Sequence, residues 1–189
     1  MKSQPRFIIK ASILYCMLSA GFSIFGLFLP GKTLPVNPLI SLSPEEVIGH
    51  VVWGLVAGAA SLSLRYCLLG GVLAIILDSD HFVGLLHLEI VSRMSHSIFF
   101  GILSVIVLMM VFGKRNYLLG AIVISALLAH FSFDIFVDKY SEFPIFTPFY
   151  NSMIHIQRAN WIFLEIGAVV IVGSATILKR KYAAQSQIS

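Results

Sequence analysis

The amino-acid sequence predicts an all-α polytopic membrane protein, and its composition is the main reason. Hydrophobic residues make up 58% of the 189 residues and charged residues only 12%, whereas soluble domains average about 45–50% and about 25%. The mean hydropathy is +0.91. The apolar residues form long runs, and helices satisfy their own backbone hydrogen bonds where no water is available. We therefore expect residues 1–189 to form a single integral membrane domain, a transmembrane helical bundle.

Six apolar segments are candidates for membrane spans, which need about 20 mostly apolar residues. They are predicted at Phe7–Leu29, Glu46–Leu64, Tyr66–His81, Ser95–Phe112, Tyr117–Val137 and Asn160–Leu178. The first begins with basic residues as a signal peptide does, but its apolar region is long and lacks an evident cleavage site, so we expect a permanent anchor. The glycines of the second and third spans, Gly54, Gly58, Gly70 and Gly71, predict close helix packing.

The charges predict how the spans are oriented. Six spans place both termini on one side of the membrane, and nine of the thirteen basic residues fall on that side: Lys2, Arg6, Lys10, Arg65, Lys114, Arg115, Lys179, Arg180 and Lys181. Because Lys and Arg accumulate in cytoplasmic loops, we expect cytoplasmic termini in a multi-pass protein of the cell membrane. The acidic residues and the histidines all lie at or near the opposite, outer ends of the spans.

Four consecutive spans carry histidine and aspartate at these outer ends. The residues are His50 in the second span, Asp78, Asp80 and His81 in the third, His96 in the fourth, and His130 and Asp134 in the fifth. Ionisable side chains in spans are costly and are functional candidates. Imidazole and carboxylate together suit zinc, manganese, iron or nickel better than calcium. One zinc ion needs three or four protein ligands, so seven candidates predict one or two divalent ions, most readily zinc.

Each of these motifs also has a simpler interpretation. His130 and Asp134, four residues apart, could be a hydrogen-bonded pair on one helix face. The Asp78–His81 motif could solvate a helix end, and Ser95–Ser97 could be a polar helix start with serine as the cap. Metal binding accounts better for all four clusters together, because solvation would not favour histidine.

Two of the motifs resemble the signatures of a known family. Ile76-Leu77-Asp78-Ser79-Asp80-His81 resembles the L-P-D-x-D-H signature, and Ser95-His96-Ser97 the end of the H-R-G-x-T-H-S signature, of the membrane-bound metal-dependent hydrolases first described as LexA-regulated inner-membrane proteins. His50 matches an upstream helical histidine of that family, and His130 and Asp134 match its later H-x-x-x-D. The resemblance covers about residues 46–150, with the spans at 7–29 and 160–178 outside it, and implies a hydrolase without a named substrate.

The chain departs from this pattern at two places. Leu77 replaces the family's proline, and Val91 and Ser92 stand where the family has His-Arg, which leaves Arg93 one position late. The role of the missing histidine is therefore either unfilled or taken by His87.

A more distant resemblance concerns the order His, Asp, His, H-x-x-x-D, which is similar to the zinc core of the bacterial phospholipase C and P1 nuclease group. These helical enzymes hydrolyse phosphodiesters. The ligands that this resemblance implies are His50, Asp80, His96, His130 and Asp134, with Asp134 bridging. The further histidine and H-x-x-x-E ligands of that group have no clear match, because His155 and Glu165 have the wrong spacing. Two metal ions are therefore expected rather than three.

These resemblances lead to an expected activity, the metal-dependent hydrolysis of a phosphoester or lipid-like substrate at the outer membrane face. Bound divalent ions lower the pKa of water toward 7 and so supply a nucleophile. Whichever of Asp78 and Asp80 does not bind metal could orient a ligand histidine or act as general base. Arg93 could pair with a phosphate or, alternatively, lie among lipid headgroups. Asp78, Asp80 and Arg93 are the catalytic candidates.

Other functions are possible on the sequence alone. A transporter for metal ions or protons would place ionisable groups along the whole depth of the membrane, whereas the cytoplasmic halves of these spans nearly lack them. A scaffold with a structural metal would need no surplus ligands. The expected partners are membrane lipids and a small-molecule or lipid substrate; the net charge of +4 gives no support for nucleic acid. The aromatic run at residues 143–150 could be a lid or an interfacial belt.

Overall fold

The chain folds into six α-helices and one short β-hairpin in a computed structural model, which describes residues 3–30, 43–86, 89–91, 93–138, 141–150 and 152–185. The helices are α1 (Ser3–Phe25), α2 (Pro44–Ala59), α3 (Leu64–Ile76), α4 (Ile98–Phe112), α5 (Tyr117–Val137) and α6 (Trp161–Gln185). The hairpin pairs β1 (Glu142–Phe143) with β2 (Ile154–His155). Short 3-10 segments follow α1 at Gly26–Phe28, follow α3 at Leu77–Leu86 and precede α6 at Arg158–Asn160.

Several of the helices are apolar and long enough to cross a membrane. Four segments meet this criterion within the described residues: Gln4–Phe28, Leu64–Val83, Tyr117–Val137 and Arg158–Gln185. Helices α2 and α4 have 16 and 15 residues, or about 24 and 22 Å at 1.5 Å per residue, and are shorter than a hydrocarbon core of about 30 Å. The all-helical class and the membrane character predicted from the sequence are confirmed at this level, and the count of six spans stays a prediction.

Some helix boundaries differ from the predicted spans. Helix α2 ends at Ala59 instead of Leu64, because the chain turns before α3 with Leu62 at a φ of 52° and the backbone N–H of Ser63 donating to Ser61 Oγ. Helix α6 continues to Gln185, since the residues after Leu178 are mostly good helix formers. The sequence analysis did not predict the hairpin.

Helix α5 is the centre of the bundle and is buried along most of its length. It contacts α2, α3, α4 and α6. Helices α2 and α3 form the closest pair, as their glycines predicted: a Cβ atom added to Gly58 would lie 2.9 Å from Cα of Cys67, and one added to Gly70 would lie 2.6 Å from the carbonyl oxygen of Gly54. The prediction of close packing is confirmed.

The helix termini gather at two opposite ends of the bundle. One end, which we call the basic end, contains Arg65 and Lys179 beside the ring of Tyr66. At this end the ring of Phe7 in α1 lies 6.2 Å from that of Tyr66 in α3 and 5.3 Å from that of Phe112 in α4. The hydroxyl of Tyr66 donates to Oδ1 of Asn116, the N-cap of α5. The start of α2 and the last turns of α5 lie at the other end, where the predicted ligands are found.

Candidate metal centre

The seven residues predicted as metal ligands lie together at one end of the bundle. This group, the His/Asp cluster, consists of His50, Asp78, Asp80, His81, His96, His130 and Asp134. Three subsets have ligand atoms within 4.8 Å of one another: His50, His130 and Asp134; Asp78, His96 and His130; and Asp78, Asp80 and His81. Five of the seven residues are at most 5% exposed: His50, Asp78, Asp80, His96 and His130. Buried His/Asp groups of this kind could hold a metal ion.

Local secondary structure brings these side chains into place. In a 3-10 helix, side chains three residues apart are aligned, so the segment after α3 places His81 Nε2 3.4 Å from Asp78 Oδ1. On α5, the four-residue spacing places His130 Nε2 3.6 Å from Asp134 Oδ2. Ser97 caps α4 by accepting a hydrogen bond from the N–H of Phe100. The capping interpretation of the Ser95–Ser97 motif is therefore correct for Ser97, while His96 points into the cluster.

Asp78 occupies the middle of the cluster. Its Oδ1 lies 3.4 Å from Nε2 of both His81 and His130 and 3.6 Å from Nε2 of His96. Its Oδ2 lies 3.4 Å from Nε2 of His50. Nε2 of His50 is also 3.3 Å from Oδ1 of Asp134. The two oxygens of Asp78 thus face two different sets of imidazole nitrogens.

The spacing of these atoms suits a bound cation. Contacts of 3.3–3.6 Å around Asp78 and His50 are longer than the usual N–H···O hydrogen bond of about 2.7–3.2 Å. Two ligands bound tetrahedrally at about 2.1 Å from a zinc ion are about 3.4 Å apart. The spacing of these atoms is therefore compatible with ligands around an ion.

The proton of the His130 ring is fixed by the backbone. Nδ1 lies 2.7 Å from the carbonyl oxygen of Ala74, which can only accept, so Nδ1–H donates and Nε2 of the neutral ring keeps a free lone pair. That nitrogen is 2.9 Å from Nε2 of His96. The His130 ring also stacks on the ring of His50, with centroids 3.9 Å apart and planes 5° from parallel. This backbone hydrogen bond is the usual device that orients a metal-binding histidine.

Asp80 and Ser95 orient the second buried imidazole, His96. The hydroxyl of Ser95 donates to Oδ2 of Asp80 at 2.5 Å, and Nδ1 of His96 lies 3.3 Å from the same oxygen. With Nδ1–H directed at Asp80, Nε2 of His96 also presents a lone pair. Two lone pairs 2.9 Å apart repel unless a cation, either a proton or a metal ion, lies between the nitrogens.

The two aspartates that the sequence left as alternatives therefore differ in position. Asp78 faces four imidazole Nε2 atoms, whereas Oδ2 of Asp80 lies against Ser95 and the outer nitrogen of His96. Oδ1 of Asp80 has no hydrogen-bond partner among the described residues and lies 3.5 Å from Nε2 of His81. The geometry favours Asp78 as a direct ligand and Asp80 as the residue that orients His96.

Arg93 is turned toward the cluster. Its backbone has a φ of 56°, an uncommon left-handed conformation, and its carbonyl accepts from the N–H of His96 at 2.8 Å in a tight turn. The guanidinium donates to Oδ2 of Asp134 and lies 5.0 Å from the ring centre of Phe143. Burial by itself would lower the pKa of Arg93, but the carboxylates of Asp134, Asp78 and Asp80 outweigh it and raise that pKa above its ordinary value. The guanidinium therefore stays charged.

The His/Asp cluster carries an excess of negative charge when its aspartates are ionised. Asp78, Asp80 and Asp134 contribute −3 when ionised and Arg93 contributes +1, which leaves −2. Buried charges are stable only when they are paired. With neutral imidazoles, the excess of carboxylates and the mixture of imidazole and carboxylate donors are compatible with a divalent metal.

One residue of this site was missed by the sequence analysis. Oε2 of Glu46 lies 3.7 Å from Nε2 of His50, one helical turn away, and its side chain is 30% exposed, more than those of the three aspartates. The signal was present, because Glu46 and His50 have the four-residue spacing that singled out His130 and Asp134. Glu46 marks the solvent-facing edge of the cluster.

Other sequence candidates lie away from the cluster. His155 is exposed on β2 and Glu165 is buried in α6, and neither belongs to the three ligand subsets found among the described residues. His87 lies outside the described residues. Of the aromatic run, Phe143 is buried with its ring 6.1 Å from that of His96, while Phe149 is 80% exposed. The run therefore includes both a residue that covers the cluster and a residue on the surface.

No family model, curated protein or solved structure matches this chain. The resemblance to the membrane-bound metal-dependent hydrolases rests on the sequence motifs alone and stays a prediction.

Proposed function

We propose that the protein is a membrane-bound metal-dependent hydrolase whose His/Asp cluster holds one or two divalent ions, with zinc as the best candidate. The observation that carries this proposal is the position of Asp78, whose two carboxylate oxygens face separate sets of imidazole nitrogens. One ion would be held by His50, Asp134 and Oδ2 of Asp78. A second would be held by His81, His96, His130 and Oδ1 of Asp78.

The chemistry assigned to the ions is general for such sites. Divalent ions lower the pKa of water toward 7 and polarise phosphoryl or acyl oxygens. Seven ligand candidates exceed what a closed structural zinc shell requires, which favours catalysis over a purely structural role.

The surrounding side chains would orient the site and handle protons. Asp80 would hold the ring of His96, because it lies beside Nδ1 and not beside Nε2. Glu46, at the solvent-facing edge, would accept a proton from the attacking water. Nε of Arg93 is buried without a hydrogen-bond partner among the described residues, so a charged donor remains for a substrate oxygen.

The proposed substrate is a phosphoester or a lipid-like ester. Arg93 would pair with its anionic group through a planar set of donors. The 3-10 segment that carries Asp78 continues into Phe82, Leu85 and Leu86, which are 50%, 48% and 58% exposed. This apolar surface beside the cluster would receive the apolar part of a lipid substrate.

The proposed topology has six spans with cytoplasmic termini. Helix α4 is short, yet it runs from the cluster to the basic end, where Phe112 contacts Phe7. Helix α2 likewise runs from His50 to Gly58, which packs against the start of α3. A site at the outer face follows from the positive-inside rule, because the basic residues lie at the opposite end.

The test is metal analysis of the detergent-purified full chain, grown with ample metal, beside the variants Asp78→Ala and His130→Ala. His155→Ala is the matched control, since His155 is an exposed histidine on β2. We expect one or two metal equivalents in wild type and control, and loss of metal in both cluster variants. Each preparation is then assayed against phosphodiester and lipid substrates.

The outcomes separate the alternatives. Metal-free wild-type protein, or full metal content in both cluster variants, would contradict the proposal. Metal that is lost in both variants without turnover of any substrate in the panel would favour a structural ion. Metal-dependent ion flux across vesicles without hydrolysis would favour a transporter.

A further inference from the structure

A groove at the basic end is separate from the His/Asp cluster. It is a cavity of about 360 Å³ between the first turns of α1 and α3, within the range of about 300–1,000 Å³ typical of ligand pockets. The lining residues are Gln4, Pro5, Ile8, Ile9, Leu64, Arg65 and Leu68. Most of this surface is apolar, and Ile9, Leu64 and Leu68 are 57%, 72% and 42% exposed.

Arg65 is the charged residue of this groove. Its guanidinium carbon lies 3.8 Å from the ring centre of Phe7 and 4.9 Å from that of Tyr66. Nη2 donates to the hydroxyl of Tyr66 at 3.3 Å, and Nε is buried without a hydrogen-bond partner among the described residues. The aromatic rings therefore hold the guanidinium in place while one of its donors is unused.

No Asp or Glu side chain lies near Arg65 in the surrounding sequence. Residues 1–44, 47–77, 90–133 and 166–189 contain no Asp or Glu, and these stretches include every helix terminus at the basic end. The nearby cations add to the positive charge, since Nζ of Lys179 lies 5.7 Å from the ring centre of Tyr66. The acidic side chains of the chain therefore lie away from this end, and an anionic ligand would complement its charge.

We propose that this groove binds an anionic phospholipid, with the phosphate at Arg65 and an acyl chain along Ile8, Ile9 and Leu68. A phospholipid combines the two features that the groove requires, an anion and a long apolar chain. Anionic lipids are attracted to basic residues near the membrane surface by about 1 kcal/mol per residue. The site is independent of the proposed hydrolase activity, because it lies at the opposite end of the bundle.

Native mass spectrometry of the full chain, released from nanodiscs that contain phosphatidylglycerol and phosphatidylcholine in equal amounts, tests this proposal. We expect wild type to retain one phosphatidylglycerol in preference to phosphatidylcholine. Arg65→Gln should lower this preference at least about fivefold. Arg115→Gln, which removes the same charge from an exposed position at the same end, should leave the preference unchanged.

A second variant tests the apolar part of the groove. Leu68→Trp would fill the space for the acyl chain, and we expect it to reduce retention of both lipids while the elution profile and helical circular dichroism stay unchanged. Equal losses in Arg65→Gln and Arg115→Gln would show diffuse surface attraction and overturn the proposal. Full retention in Leu68→Trp, or displacement of the lipid by inorganic phosphate alone, would overturn it as well.

Discussion

The two ends of the helix bundle accommodate buried ionisable groups in different ways. At one end, four imidazoles and four carboxylates converge with nitrogen–oxygen contacts of 3.3–3.7 Å, and among the described residues one guanidinium, that of Arg93, pairs with these acids. At the basic end, the guanidinium of Arg65 lies between aromatic rings and no acid is near in the sequence. The first arrangement could hold a cation, whereas the second is complementary to an anion.

This difference shows that burial of charge alone does not identify a catalytic site. Arg65 is held by packing against Phe7 and Tyr66, and an anionic lipid headgroup could complement its charge. The His/Asp cluster contains side chains from α2, the 3-10 segment after α3, the turn before α4, and α5. Bringing such groups together is costly unless their charges are compensated, and a bound ion could provide this compensation.

The largest effect is expected from Asp78→Asn. This change keeps the size of the side chain but removes the charge that faces both sets of imidazoles. We expect metal content to fall below about a tenth of wild type and hydrolysis to fall more than about 100-fold, beyond the effect of a residue that only orients a ligand. Metal analysis and kcat/KM measure the two losses, and retention of phosphatidylglycerol at the basic end should not change.

Glu142→Gln is the matched control for Asp78→Asn, because Glu142 is an exposed acid on β1. Wild-type metal content is expected in this control. If Asp78→Asn also kept its metal, Asp78 would not be a required ligand and the ion would be held by other residues, such as His50, His130 and Asp134.

A smaller effect is expected from Asp80→Asn, because Asp80 contacts the outer nitrogen of His96. Changes of this kind lower metal affinity by about 10–100-fold. Competition with a chelator measures the affinity, and Ser95→Ala, which removes the hydroxyl that donates to Asp80, should give a loss no larger than that of Asp80→Asn. Complete loss of metal in Asp80→Asn, equal to that of Asp78→Asn, would make Asp80 a direct ligand instead.

Arg93→Lys separates substrate binding from metal binding. The change keeps the positive charge next to Asp134 but removes the planar set of donors. We expect metal content near wild type and kcat/KM lower by about 10–100-fold, as for the loss of a hydrogen bond to a charged group. Arg158→Lys is the control, since Arg158 is exposed and lies over the ring of Phe136. Equal losses of metal and activity in Arg93→Lys would mean that Arg93 is needed to hold the metal-binding residues in position and that it does not bind substrate.

Much of the fold and the membership of the cluster could be predicted from the sequence. Apolar runs identify helices, and their alternating direction brings every second loop to the same end, which is why His50, Asp78, His96 and His130 could be placed together. The charge difference between the two ends was visible for the same reason. These predictions depend only on hydropathy and helix direction.

The finer geometry could not be predicted in this way. Asp78 and Asp80 are equivalent in the sequence, and their different positions follow from the 3-10 segment, whose three-residue repeat aligns Asp78 with His81. The inward direction of Arg93 depends on a positive φ in a tight turn, which no residue pattern there indicates. Glu46 was not predicted as a site residue, although its four-residue spacing from His50 places both side chains on one face of α2.

The smallest effect is expected from Ser19→Ala, which removes a hydrogen bond between α1 and the 3-10 segment that carries Asp78. Ser19 in α1 donates to the carbonyl oxygen of Leu77 at 2.8 Å, immediately before Asp78. Ser19→Ala should lower the free energy of unfolding by about 1 kcal/mol, the usual net value of a hydrogen bond.

Ser12→Ala is the matched control on the same helix, and its free energy of unfolding is compared with that of Ser19→Ala. Ser12 is also buried, but its hydroxyl has no hydrogen-bond partner among the described residues. Removing a buried hydroxyl without a partner should be neutral or stabilising. Unfolding in mixed micelles measures both variants, and metal affinity should fall slightly in Ser19→Ala alone. Equal destabilisation by the two changes would mean that α1 stabilises the bundle through packing and that its hydrogen bond to Leu77 does not stabilise the segment that carries Asp78.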